Sequence, residues 1–141
     1  MSQSEGASPL GEAIERVGDR WTLLIVEALL SGPRRFKELT EAVPGIAPSV
    51  LSQRLKHLER EALVVLRPYS ERPPRLTYEL TASGRELAGA IRLLAHWGAR
   101  HGTGAEPPLH QACGTPLEAR WYCPTCARAV AEDAEAEVRF L

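Results

Sequence analysis

Between Gly32 and Arg60 the chain reads GPRRFKELTEAVPGIAPSVLSQRLKHLER. Phe36, Leu39 and Val43 recur with a helical period, the run stops at Pro44-Gly45, and a second run restarts at Pro48 with Leu51, Leu55 and Leu58 on one stripe. The pattern predicts two short helices around a tight turn. At about 100° per residue, turning Leu51, Leu55 and Leu58 inward presents Ser49, Gln53, Lys56 and Arg60 outward, with Ser52 on the flank. An amide, cations and small hydroxyls on one ridge suit a helix laid in the DNA major groove: Gln can bond an adenine edge, Lys a guanine edge, and Ser or Arg a phosphate. An ordinary solvated face has the same composition, so this helix alone does not decide.

The next stretch of chain is more telling. Leu63 to Tyr69, a turn-rich Ser70-Glu71-Arg72-Pro73-Pro74, and Arg75 to Leu80 alternate and are rich in β-branched and aromatic residues, which predicts a hairpin with a stiff tip. A hairpin directly after a recognition-type helix is a wing. Arg72 stands at its tip and Arg67 and Arg75 on its arms, placed to enter an adjacent minor groove or grip its phosphates.

Several of these residues together resemble the HxlR family of bacterial transcription regulators: Trp21-Thr22-Leu23-Leu24-Ile25, Gly32-Pro33-Arg34-Arg35-Phe36, Leu39, Pro44-Gly45-Ile46, Leu51-Ser52-Gln53-Arg54-Leu55, the wing from Tyr69 to Pro74, Tyr78-Glu79-Leu80-Thr81 and Gly84. The resemblance covers roughly residues 8 to 101. It implies a dimeric winged helix-turn-helix protein that binds double-stranded DNA, paired through its first and last helices and facing inverted-repeat operators. Ser49, Ser52, Gln53 and Lys56 are expected at bases or nearby phosphates, and Arg34, Arg35, Arg72 and Arg75 mostly at the backbone.

Charge placement agrees. The net charge is −1, yet residues 34 to 100 hold 12 basic and 7 acidic side chains, against 2 and 5 in residues 1 to 33 and 3 and 6 in residues 101 to 141. The positive excess sits on the helix-turn-helix and wing, where phosphate attraction requires it. The polar opening lacks the basic start and apolar centre of a signal peptide, and no apolar run approaches a bilayer span, so a cytoplasmic location without membrane contact is expected.

In the first helix, Ser8-Pro9 provides a cap and a first-turn proline, Leu10, Ala13, Ile14 and Val17 an apolar stripe, and Gly18 a stop. Members of the resembling family often carry before that proline a cysteine that senses electrophiles or oxidants. Ser8 stays protonated and cannot act as a thiolate, so only capping is expected of it. Asp19 caps the second helix, with Trp21, Leu24, Ile25, Ala28 and Leu29 toward the core. Ala47 is a weak cap for the recognition helix and leaves its first amides available to a phosphate. Thr81 opens a helix over 82–101 whose broad apolar face (Leu87, Ala90, Ile91, Leu94, Ala95, Trp97, Gly98) exceeds what one small domain covers.

Residues 102–108 read as a linker and 109–141 as a separate extension. There His110 and Cys113 precede Cys123 and Cys126, and all 3 cysteines of the chain fall in this stretch. Two ligand pairs at this spacing suit one tetrahedral, structural Zn²⁺ per chain, with His101 an alternative to His110. Strands are expected at Glu118–Tyr122 and around Ala136, Val138 and Phe140, which resembles a small zinc ribbon. A thioredoxin-like redox pair at Cys123 and Cys126 is the competing reading, although about forty residues cannot supply its usual βαβ setting.

The expected whole is an α+β chain, mainly a helical winged helix-turn-helix with a two-stranded wing plus a small β extension: 1–7 disordered, 8–101 DNA-binding and dimerising, 102–108 linking, 109–141 zinc-bearing. The expected role is a DNA-binding transcription regulator without enzymatic chemistry. A protein-interaction adaptor and a thiol redox protein remain the alternatives. Neither the sign of regulation, nor an effector, nor the operator sequence is legible.

Overall fold

The computed structural model describes residues 8–102, 104 and 106–131. The segment 1–7 and the expected strand near 136–140 lie outside them. Helix α1 (Pro9–Val17) starts where the Ser8 hydroxyl accepts a hydrogen bond from the Gly11 amide at 3.1 Å. Helix α2 (Arg20–Leu30) is capped by the Asp19 carboxylate, which accepts from the amides of Trp21 and Thr22 at 3.1 and 2.9 Å and from the Thr22 hydroxyl. Helices α3 (Phe36–Ala42) and α4 (Pro48–Arg60) flank the turn with Gly45 at φ 84°. Their periodic side chains do what the pattern requires: Leu39, Leu51, Leu55 and Leu58 are buried together with Ile25, Val26, Leu29 and Val43. At roughly 1.5–3 kcal/mol for each such side chain withdrawn from water, this cluster is the main force that fixes the angle of α4.

Helix α4 ends in a tight double hydrogen bond. The Ala62 amide donates to the Glu59 carbonyl at 3.0 Å and the Leu63 amide to the Leu58 carbonyl at 2.9 Å, with Ala62 at φ 57°. This left-handed closure turns the chain at once into strand β1 (Val64–Glu71), which pairs antiparallel with β2 (Pro74–Leu80) from Val64↔Leu80 to Glu71↔Pro74. The strands run further toward the tip than expected, leaving only Arg72 and Pro73 between them. Tyr69 is an extra residue on β1, where the register shifts between Pro68 and Ser70. Arg34 adds a third-strand contact: its amide donates to the Tyr78 carbonyl at 3.0 Å, and its carbonyl accepts the Tyr78 amide at 2.7 Å.

The expected continuous helix over 82–101 is instead two segments, α5 (Ala82–Arg85), capped by Thr81, and α6 (Ala88–His101). The Leu87 amide bonds the Gly84 carbonyl, three residues back, which tightens the chain and separates them. The chain divides into two compact units between Ile91 and Arg92, inside α6 and well before the predicted linker at 102–108. The physical reason lies in burial: Ile91 is the last buried residue among those described, and Leu94 and Trp97 beyond it are exposed. In the second unit β3 (Trp121–Cys123) pairs antiparallel with β4 (Arg128–Val130). The strand expected at Glu118–Tyr122 thus begins later and reaches Cys123, because the Cys-x-x-Cys turn itself closes the hairpin. Among the described residues no helix is long and apolar enough to cross a membrane.

Candidate nucleic-acid interface

With Leu51, Leu55 and Leu58 sealed in the core, the opposite ridge of α4 faces outward: Ser49, Gln53, Lys56 and Arg60 are exposed and Ser52 is half-buried. Ala47 makes no side-chain cap, so the first amides of α4 are left without that partner. Polar contacts that spacing did not reveal hold the helix at its middle and its end. Near the middle, Arg54 Nε lies 3.2 Å from Asp19 Oδ1, an ion pair without the alignment of a hydrogen bond. Near the end His57 Nε2 lies 2.7 Å from the Arg16 carbonyl, and Arg16 in turn pairs with Glu61. Burial works against charge on Asp19, yet its bonds from Thr22 and the Arg54 charge outweigh this and hold its carboxyl below the usual range.

The cationic side chains around this ridge differ in freedom. Arg72 and Arg75 are exposed on the wing and make no ion pair among the described residues, whereas Arg67 pairs with Glu79 at 3.1 Å, and Glu79 also with Arg85 at 3.1 Å. Arg34 braces the end of α2: its Nε donates to the Ala28 carbonyl at 2.8 Å and Nη2 to the Ser31 hydroxyl at 3.1 Å. Arg35 is tied to Glu38 and then to Tyr69, which together raise its already high pKa. A DNA phosphate would have to compete for Arg34 and Arg35 but not for Lys56, Arg72 or Arg75.

Residues 16–106 match the HxlR-like helix-turn-helix family. This chain belongs to that family. An uncharacterized HTH-type transcriptional regulator of Mycobacterium tuberculosis is 40% identical over 130 residues, covering 89% of this chain and 81% of its own. The reduced form of the transcriptional regulator YodB from Bacillus subtilis is similar with a TM-score of 0.59 at 34% identity, over 70% of this chain and 97% of its own. A Pseudomonas aeruginosa protein of known structure reaches a TM-score of 0.64 at 32% identity, over 86% of this chain and 85% of its own. The winged helix-turn-helix of this HxlR-like protein therefore has solved counterparts.

His110 and the cysteines lie apart from this interface in sequence, as two pairs. His110 Nδ1 is 3.2 Å from Cys113 Sγ, and Cys123 is hydrogen-bonded to Cys126. Thr115, then His110, draws the Cys113 thiol below its ordinary pKa; the Cys126 amide does the same for Cys123. Among the described residues no three His, Cys, Asp or Glu side chains converge closely enough to hold a metal ion. Cys123 and Cys126 sit in a β-turn and not at the start of a helix, which removes the setting that thioredoxin-like chemistry uses.

Proposed function

We propose that the protein is a sequence-specific DNA-binding transcription regulator that acts as a homodimer on an inverted-repeat operator, with α4 in the major groove and the β1–β2 wing beside it. One observation carries the reading: Gln53 and Lys56 stand exposed on the face of α4 opposite its buried leucines, and two uncommitted arginines, Arg72 and Arg75, stand on the adjoining wing. Amide plus ammonium reads base edges, and guanidinium on a short hairpin holds phosphate. Relatives named as HTH-type transcriptional regulators support it. Ser49 and Ser52 join Gln53 and Lys56 at or near the bases, while Arg34 and Arg35 are secondary backbone contacts that must first release their internal partners.

Pairing runs through α1 and α6. Leu10 and Ile14 on the first, and Leu93, Leu94 and Trp97 on the second, are exposed apolar side chains of the kind a partner copy covers. A footprint on the DNA upstream of the protein's own gene tests the whole reading: two protected segments about one helical turn apart are expected. Absence of any salt-sensitive protection would favour a protein-interaction adaptor instead.

A further inference from the structure

Two turns in the tail are built alike. In the first, the Leu109↔Pro116 bridge closes a loop in which the His110 amide donates to the Thr115 carbonyl at 2.8 Å and the Gly114 amide to the His110 carbonyl at 2.7 Å. In the second, the Cys123↔Arg128 pair closes a loop in which the amides of Thr125 and Cys126 are hydrogen-bonded to Cys123. Each places a metal-ligating residue at its start and another three positions on: His110 and Cys113, Cys123 and Cys126. The residue after each second ligand is left-handed, Gly114 at φ 70° and Ala127 at φ 53°. Alanine accepts that conformation only at a cost, so the second turn is held against its local preference.

From Arg92 to Ala131 no described residue is buried, and the ordered pairing amounts to one bridge and one hairpin of three-residue strands. Hairpins of that size do not persist in water without a core or a staple. All three cysteines are free thiols, so no disulfide supplies one.

We propose that the two turns are the halves of one tetrahedral zinc site, with His110, Cys113, Cys123 and Cys126 as its four ligands. Among the described residues the four are not gathered on one point, so the two turns must close on each other when the ion binds. Gathering therefore accompanies binding, and the metal's affinity becomes folding energy for the tail. Each thiol that binds releases its proton to solvent, and no electron is transferred. His110 is the nitrogen ligand because it shares a turn with Cys113, whereas His101 lies on α6 with its ring 5.0 Å from that of Trp97. A closed Cys3His shell leaves no open position for substrate, so the ion is structural.

The full-length chain, purified with reductant and without chelator, should hold one zinc ion per chain. Replaced by cobalt, the ion should give the thiolate charge-transfer and tetrahedral ligand-field absorption bands. Cys113→Ser and the double variant Cys123→Ser/Cys126→Ser should each lose the ion, His110→Ala should release it more than about tenfold more readily, and His101→Ala should retain it. Because a variant tail could fail to fold for other reasons, the wild-type chain supplies a second measurement. Withdrawing zinc with a chelator should open residues 106–131 to limited proteolysis, and returning zinc should restore protection. Zinc well below one equivalent, full zinc in Cys113→Ser, loss of zinc in His101→Ala but not His110→Ala, or a cleavage pattern indifferent to zinc would each overturn the assignment.

Discussion

On the proposed reading Gln53 reads bases and Arg72 holds phosphate, so their variants should fail differently. Removing the Gln53 amide costs base discrimination, about 1–3 kcal/mol at one position of each half-site, so Gln53→Ala should bind a broader set of sequences with little change in salt dependence. Arg72→Ala should weaken binding to nearly all sequences and flatten the slope of log affinity against log salt by about 2, because a pair presents the residue twice. Binding measured on a randomised operator library at several salt concentrations separates the two; equal, sequence-blind losses would remove Gln53 from base readout. Asp19 acts on the same helix from behind, through Arg54. Its pKa is lowered on folding from 3.8, so the charged form contributes stability that is present above that value and is lost as pH falls through the folded pKa. Asp19→Asn keeps a capping oxygen but not the charge. It should cost under about 1 kcal/mol at neutral pH, since the pair is more than a third exposed, and nothing below the folded pKa. Unfolding curves of the two proteins should therefore converge in acid; a constant gap at all pH values would assign the effect to shape and not to charge.

Among the elements, legibility tracked periodicity. Helices α1 to α4 could be placed from apolar spacing and caps alone; α2, α3 and α4 bury their stripes on one core, whereas α1 buries only Val17 and leaves Leu10 and Ile14 exposed, and Ser8, Asp19 and Thr81 cap as their side chains predict. The break between α5 and α6 was not legible, since the bond of the Leu87 amide to the Gly84 carbonyl leaves no mark in the apolar spacing. A Cβ on Gly84 would lie 2.2 Å from the Leu63 carbonyl oxygen, so the first turn after the wing is pressed onto backbone just beyond the end of α4. That oxygen already accepts the Thr81 amide at 3.0 Å and belongs to backbone that cannot swing aside. Gly84→Ala should accordingly cost several times the roughly 1 kcal/mol that alanine usually gains over glycine in a helix, and should loosen the base of the wing. Chemical denaturation reads the loss, and an unchanged midpoint would mean the turn can move away freely. In the site, the ridge of α4 was legible for the same periodic reason. The ties Arg54–Asp19, Arg16–Glu61 and His57 to the Arg16 carbonyl were not, because each joins residues far apart in sequence and no spacing rule connects them. Of the β3–β4 hairpin, β3 was expected but from Glu118 onward and β4 was not, because three-residue strands carry no period.

For the proposed homodimer, the decisive quantity is how many phosphates it holds at once. Of the cations assigned to DNA, Lys56, Arg72 and Arg75 give up no internal partner among the described residues, so a homodimer offers about six such phosphate contacts, and at about 0.9 per contact the salt slope should be near −5. A monomer would show about half that slope and could not straddle an inverted repeat, whose half-sites lie roughly 34 Å apart on one face of the duplex. The exposed side chains of α6 allow the two states to be separated without touching the DNA-facing ridge. Trp97 and Leu94 are 64% and 56% exposed, so a charge there costs the single chain little, yet placed in a dimer interface it would bury without a counter-ion. Leu94→Glu with Trp97→Asp should therefore leave each chain folded by circular dichroism, halve the mass in sedimentation equilibrium, and bring the salt slope to between about −2 and −3. Retention of both the dimer mass and the full slope would place the pairing surface elsewhere and leave the apolar face of α6 without a partner copy.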